Sequence, residues 1–158
     1  MKTNATGWLA LLMFLVPAGS LLAHHSLANF DTDVAIRVKG TIVQIHYINP
    51  HSFIFLEQKG PGGEIRRWAA EGPSFFQLNR GGFAKDTLKP GDVVEVCGYV
   101  PKEPIVWQIA SADPSATSLA GRLINAETLV MPDGQERNWG DYGAHKCFAP
   151  GYKDQHSK

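Results

Sequence analysis

Histidines are the residues of this chain with the clearest potential for chemistry, and the chain has six of them. His46 and His51 flank the stretch Tyr-Ile-Asn-Pro between two strand-like segments. If residues 47–50 form a four-residue loop, the two histidines face each other with Cβ atoms about 5 Å apart and can share a metal ion. If only Asn49-Pro50 forms the loop, His46 pairs with Phe53 and the site is lost. His51 then caps the turn and His46 is a solvated strand residue.

A second pair of histidines, His24 and His25, lies where an exported protein would begin after processing. A terminal His24 offers its free amine and its imidazole to one metal ion, and copper suits such nitrogen ligands. The alternative is that both histidines lie in a flexible terminus. The hypothesis is therefore a copper site, with no cofactor as the alternative. Its candidate ligands are His24, His25, His46 and His51.

The N-terminal segment has the layout of a secretory signal peptide. Lys2 precedes a nine-residue apolar run over 8–16, which Pro17 and small residues end. The run is shorter than the roughly 20 residues that span a bilayer. We expect a periplasmic or secreted protein with no membrane insertion after processing. Cleavage after Ala23 is favoured by its small side chain, and cleavage after Ser20 is the competing choice.

The net charge and the cysteine content limit which classes of partner and of stabilising bond we expect. Removing residues 1–23, which contain one basic and no acidic residue, changes the formal net charge from 0 to −1. Without a basic excess, nucleic acid is not an expected partner, and a protein or a small ligand is left open. Cys97 and Cys147 are the two cysteines. In an exported chain they predict a disulfide, which would stabilise the fold by roughly 4 kcal/mol. A thiolate metal site is the weaker alternative, because there is no CxxC motif.

The residues between the two termini predict a small all-β domain. β-branched, alternating stretches indicate five strands, and Pro73 and Gly81 bracket a short helix between the third and fourth. Gly40, inside the first strand, predicts a bulge or bend. The predicted strands are residues 34–48, 52–57, 64–70, 93–100 and 122–130.

This order of elements favours a five-stranded OB-like barrel, with a half-open sandwich as the runner-up. The predicted organisation is a signal peptide (1–23), an N-terminal arm (24–33), the barrel domain (34–135) and a C-terminal tail (136–158).

Aromatic residues alternate along the second and third strands. His51, Phe53 and Phe55 share one side of the second strand, and Arg66 and Trp68 share one side of the third. If these sides coincide, Phe53, Phe55, Arg66 and Trp68 form a ligand face of the kind that OB-type barrels use. The alternative is that the aromatics lie in the core. Both sides of the second strand are apolar, so the tail or a partner protein must cover one of them.

Several short motifs together resemble the exported bacterial proteins of the domain-of-unknown-function 6152 family. The resemblance covers about residues 24–135 and implies a small secreted β-rich domain, with no function to carry over. Residues 101–120 and the tail with Cys147 depart from it. The motifs are HHSLANFD (24–31), VKGTIV (38–43), INPH (48–51), Trp68, GPS (72–74), LKPGD (88–92), GY (98–99) and MPDG (131–134).

Catalytic motifs are absent from the sequence. It has no GxSxG, HExxH, Walker or dinucleotide-binding pattern, and Glu71 and Glu95 are single acids without a recognisable partner. We therefore expect a binding protein rather than an enzyme, and copper is the leading ligand. The rival is a structural or protein-interaction module without metal that uses an apolar sheet face. An oxidative copper enzyme built on a terminal His24 ranks last.

Overall fold

The computed structural model describes residues 27–103 and 122–140. A short 3-10 helix over Leu27–Asn29 leads into six strands and one α-helix. The elements, in chain order, are β1 (Phe30–His46), β2 (Ser52–Lys59), β3 (Ile65–Gly72), α1 (Phe75–Arg80), β4 (Val93–Pro101), β5 (Leu123–Val130) and β6 (Glu136–Asn138).

The first five strands close into a barrel. The sheet order is β3-β2-β1-β4-β5-β6, and an additional parallel pairing joins β3 to β5. β1 pairs with two neighbouring strands. Its residues 35–41 pair with β4 and its residues 41–46 pair with β2, so Thr41 pairs with both. The mainly β, OB-like barrel with one helix between β3 and β4 is confirmed. The half-open sandwich is wrong, because the β3–β5 pairing removes the open edge.

The barrel interior is filled by apolar side chains from alternate strand positions, as the two-residue period of a strand requires. Ile54 and Leu56 of β2 are fully buried there, as are Val96 of β4 and Leu129 of β5. Burial of apolar surface is the main stabilising contribution in such a domain.

A second apolar cluster lies on the other side of the strands that carry it. Phe53 and Phe55 of β2 alternate with the interior residues and are buried in this cluster. We call it the outer cluster, and Leu27 packs against it from the 3-10 helix. Its buried members are Phe30, Ala35, Phe53, Phe55, Ala69, Cys97, Tyr99 and Leu123.

Helix α1 begins at a capping box. The hydroxyl of Ser74 accepts a hydrogen bond from the backbone N–H of Gln77, and the Gln77 side chain accepts one from the N–H of Ser74. This reciprocal arrangement satisfies donors that a helix start otherwise leaves without partners. Leu78 is the buried residue of the helix and anchors it to the barrel interior.

Two predicted boundaries are corrected. β1 begins at Phe30, inside the stretch predicted as an arm, because Phe30 pairs with Pro101 and is buried in the outer cluster. β6 and Trp139 lie beyond residue 135, inside the predicted tail. The side chain of Trp139 is buried in the barrel interior, and its backbone N–H donates to the carbonyl of Glu127.

The role predicted for Gly40 is also corrected. The irregularity in β1 lies between Ile42 and Gln44, whereas Gly40 pairs regularly with Val94. A Cβ at residue 40 would stand 2.9 Å from the carbonyl oxygen of Glu57, so glycine is required there by the close approach of β2. A close backbone approach is one of the established reasons for glycine in a strand.

Candidate functional site

The strand register decides where the two loop-flanking histidines lie. His46 is the last residue of β1 and pairs with Phe53, which is the second of the two registers that the sequence allows. His46 and His51 are therefore not directly opposite, and the prediction that depended on a loop over residues 47–50 is wrong. The observed register sets Ile45 against the buried Ile54, whereas the rejected one would set it against Ser52. Opposed apolar side chains stabilise the pairing.

His46 lies on the face of the sheet that carries the outer cluster. Its ring makes an edge contact with Phe55, with ring centroids 5.2 Å apart. The side-chain amide of Gln44 contacts the Nε2 atom of His46 in a hydrogen bond. Directly paired antiparallel residues share a face, so Phe53 places His46 among the aromatics of β2.

His51 precedes β2 and lies against a buried acid. Its Nδ1 atom is 3.3 Å from the Oε1 atom of Glu71, near the end of β3. Glu71 pairs with Phe53, so its side chain lies on the same face as those of Phe53 and His51. The backbone N–H of Ser52 donates to the carbonyl of Pro73 and fixes the two strand ends together.

The interpretation of Glu71 and Glu95 as acids without partners is wrong for both. Glu71 contacts His51, and Glu95 accepts a hydrogen bond from Arg37 at 3.4 Å. The sequence signal for the first pair was present but weak: a histidine and an acid occupy same-face positions at the open ends of two adjacent strands. Only the register between β2 and β3 brings them together.

The environment of Glu71 changes its acidity. The residue is 2 % exposed. Burial raises its pKa to about 7, because the carboxylate loses hydration that the protonated form needs less. Near neutral pH a carboxyl group with this pKa is present in both its protonated and its ionised form. When ionised, it accepts a hydrogen bond from a histidine ring N–H.

The predicted ligand face does not form. Phe55 pairs with Ala69, whereas Trp68 pairs with Leu56 and Arg66 with Gln58. Trp68 and Arg66 therefore lie on the opposite face from Phe53 and Phe55. Trp68 packs against the interior cluster and donates through Nε1 to Gln58.

The pairing of β2 with β3 thus separates the basic residue from the aromatic pair. Arg66 donates to Glu64 at 2.8 Å in the exposed hairpin. Phe53 and Phe55 are core residues of the outer cluster, which was the alternative interpretation of their alternation.

Comparison with known protein families matches residues 13–105, more than half of the chain, to the Family of unknown function (DUF6152). This chain belongs to DUF6152. The match begins before the first described residue and ends just after β4. Both members of the His51–Glu71 pair therefore lie in the part of the chain that DUF6152 covers.

Other comparisons add little to the DUF6152 assignment. Comparison with curated proteins finds no match. Among solved structures, the chain is similar to a small single-stranded DNA-binding protein from Streptomyces coelicolor, with 15 % identity and a TM-score of 0.39. That similarity covers 61 % of this chain and 89 % of the other.

The geometry of the DUF6152 barrel argues against a serine nucleophile beside His51. Ser52 follows His51 in the chain, but strand alternation turns its side chain to the other face, where it is fully buried. Ser52 pairs with Gly72, and the indole of Trp139 packs over that glycine. Ser52 therefore lies inside the barrel, whereas His51 and Glu71 lie outside it.

The described residues include two of the four predicted metal ligands, His46 and His51. Over residues 27–103 and 122–140, no group of three or more His, Cys, Asp or Glu side chains is placed to hold a metal ion. His24, His25 and the predicted signal peptide lie outside the described residues. Cys97 is fully buried in the outer cluster, and Cys147 also lies outside the described part. No helix in the described segments has the length and apolar character to cross a bilayer.

Proposed function

We propose that this protein is an exported β-barrel binding protein that takes up a transition metal, with copper as the preferred ion. The proposed ligands are His24, His25, His46 and His51. Because His46 and His51 are not directly opposite each other, they do not form a two-histidine site by themselves, and the proposal adds the N-terminal histidines to complete the set. Nitrogen donors of this kind favour copper(II) over the other divalent first-row metals. The observation that carries the proposal is the position of Leu27 against the outer cluster, on the face that also carries His46 and His51.

Chain length supports this arrangement. Leu27 packs against the cluster that contains Phe53 and Phe55, and His25 and His24 lie two and three positions before Leu27 in the chain. Two residues of extended chain span at most about 7 Å, and three span about 11 Å. The chain between Leu27 and either N-terminal histidine is thus short, and in the proposed site the barrel contributes ligands that a free peptide terminus lacks.

Recruiting His46 as a ligand requires a small rearrangement. Its Nε2 atom accepts a hydrogen bond from the side-chain amide of Gln44. Gln44 is exposed, so water can replace this bond, and the net loss is about 1 kcal/mol. Structural metal sites stabilise by about 10 kcal/mol or more, which exceeds that loss. Binding weakens as pH falls below about 6.5, where imidazole ordinarily gains a proton and can no longer ligate.

Titration calorimetry with copper(II) tests the proposal on protein purified from the exported fraction, with its N-terminus determined by mass spectrometry. The His46→Ala/His51→Ala variant should bind copper at least tenfold more weakly than the wild type. The control is His156→Ala, which removes a histidine outside the proposed ligand set. Equal affinity in all three proteins would contradict the proposal.

A protein-interaction module is the second candidate, and one observation favours it. The apolar sheet face with Phe53 and Phe55 is buried, but Phe76 on α1 is 66 % exposed and Ile48 in the β1–β2 loop is 42 % exposed. Contact between the rings of Tyr47 and Phe75, 4.8 Å apart, brings these two elements together at one end of the barrel. Phe76 and Ile48 thus belong to elements that meet at this end of the barrel, and we propose this end as the contact surface.

This candidate is tested with a photoreactive amino acid placed at residue 76. Irradiation of the exported fraction should give one discrete crosslinked product from residue 76. The control position is residue 65, because Ile65 is similarly exposed at 48 % but lies at the start of β3. Equal crosslinking from both positions would contradict a specific surface.

A further inference from the structure

We infer that Glu71 is a positioning residue for His51: its carboxylate accepts the Nδ1–H of the ring, which leaves the lone pair on Nε2 and makes Nε2 the nitrogen that binds metal. The metal-binding part of this inference rests on the proposed function. The part that concerns the ring proton does not, because it follows from the geometry of two residues in the metal-free protein.

The first step is that Glu71 is held on both sides. Its Cα pairs with Phe53 of β2 and with Asn125 of β5, at the place where β3 closes the barrel. The side chain is almost completely buried. A carboxylate fixed by two neighbouring strands can hold a ring in one orientation, whereas a carboxylate on a mobile loop cannot.

The second step is that His51 is held beside it. Ser52, the next residue, donates its backbone N–H to the carbonyl of Pro73 at 3.0 Å, so the start of β2 is tied to the end of β3. The Nδ1 atom of His51 is 3.3 Å from Oε1 of Glu71, while the side chain of His51 stays 24 % exposed. The ring therefore bridges a buried acid and the protein surface.

The third step is the chemistry of a neutral imidazole, which carries one proton and one lone pair on its two nitrogens. A carboxylate at Nδ1 selects the tautomer protonated there, and Nε2 is then the ligating atom. Metal-binding histidines commonly donate their other ring N–H to a carboxylate, and loss of that partner costs 10- to 100-fold in affinity. The His51–Glu71 pair has the donor and acceptor that this arrangement needs.

The test begins with metal-free, ¹⁵N-labelled full-length protein at pH 8. Long-range ¹H–¹⁵N NMR, assigned with a His51→Asn variant, should show His51 protonated at Nδ1 and not at Nε2. The Glu71→Gln variant should retain this tautomer in part, because its amide oxygen also accepts a hydrogen bond. The Glu71→Leu variant should lose it. Circular dichroism confirms that each variant is folded. The NMR spectrum of the wild type alone decides which ring nitrogen of His51 carries the proton.

Copper(II) titration of the wild type, Glu71→Gln and Glu71→Leu completes the test. Affinity should fall 10- to 100-fold in Glu71→Leu and less in Glu71→Gln. A wild-type His51 protonated at Nε2 would overturn the inference, and so would equal copper affinity in wild type and Glu71→Leu. If the Nδ1–H tautomer is found and no protein binds copper, the orientation of His51 by Glu71 stands and the proposed function fails.

Discussion

The Nδ1 atom of His51 lies 3.3 Å from the Oε1 atom of Glu71, although the two residues belong to different strand ends. The pairing of Phe53 with Glu71 makes this contact possible, because it puts both side chains on the outer-cluster face. A buried acid with a pKa of about 7 has a measurable effect on stability. The first prediction concerns that effect.

Stability of the metal-free protein should fall as pH rises from about 4.5 to about 7. The pKa of Glu71 is raised from 4.5 to about 7 on folding, so the folded state binds this proton more tightly than the unfolded state. The contribution is complete below pH 4.5 and is lost as the pH passes through 7. At 1.36 kcal/mol per pKa unit it amounts to about 3 kcal/mol.

The Glu71→Gln variant should lack this loss, because its amide does not ionise. Urea unfolding of wild type and variant at several pH values between 4.5 and 8 measures the difference, and all other titrating groups are common to both. Parallel pH profiles for the two proteins would show that Glu71 titrates alike in the folded and unfolded states.

A Trp139→Ala substitution should destabilise the protein by about 3–5 kcal/mol, because it leaves a large cavity in the barrel interior. Trp139 is 1 % exposed and contacts Phe83 edge to face at 5.1 Å. The control is Phe76→Ala, which removes an aromatic ring that is 66 % exposed and should change the free energy of unfolding by less than about 1 kcal/mol. Similar losses in the two variants would contradict the assignment of Trp139 to the core.

A Gly98→Ala substitution should destabilise the barrel by at least about 1–3 kcal/mol through overpacking. The added Cβ would stand 2.0 Å from the carbonyl oxygen of Asn125, a backbone atom that cannot rotate away. In Gly62→Ala, the control, the nearest neighbour is the mobile Glu64 carboxylate at 3.1 Å. Thermal unfolding should rank wild type close to Gly62→Ala and well above Gly98→Ala. The reverse ranking would be incompatible with the β4–β5 packing.

The pairing of Cys97 with Cys147 stays a prediction, and the burial of Cys97 dictates how to test it. A buried thiol escapes alkylation in the native state, so the protein is first unfolded in denaturant without reductant. No alkylation is then expected, and two alkyl groups should be added after reduction. Reduction should also lower the free energy of unfolding by roughly 4 kcal/mol. Two alkyl groups before reduction would exclude the disulfide.

Much of the fold could be predicted because its signals are local. β-branched runs indicate β1, β4 and β5, and the Gly-Pro-Ser stretch before Phe75 indicates the start of α1. Trp139 and Phe30 were misassigned to terminal segments, because single aromatics among turn residues carry no periodicity. Their burial depends on strands that are distant in the sequence.

The candidate site was harder to predict than the strands, because it depends on register. A strand's own alternation shows which residues share a face, but it does not show which face of the next strand they meet. Because of this ambiguity, the sequence predicts a ligand face that joins Phe53 and Phe55 with Arg66 and Trp68, and that prediction is wrong. It also hid the partnership of His51 with Glu71, which the β2–β3 register reveals at once.

The central claim is that the N-terminal histidines and the barrel face bind one copper ion together. The most direct measurement is the copper(II) affinity of protein that begins at His24, compared with protein that has two additional residues before His24. The extension removes the terminal amine next to His24 and leaves every imidazole in place. The account predicts that the extended protein binds copper at least tenfold more weakly. Equal affinities would contradict it.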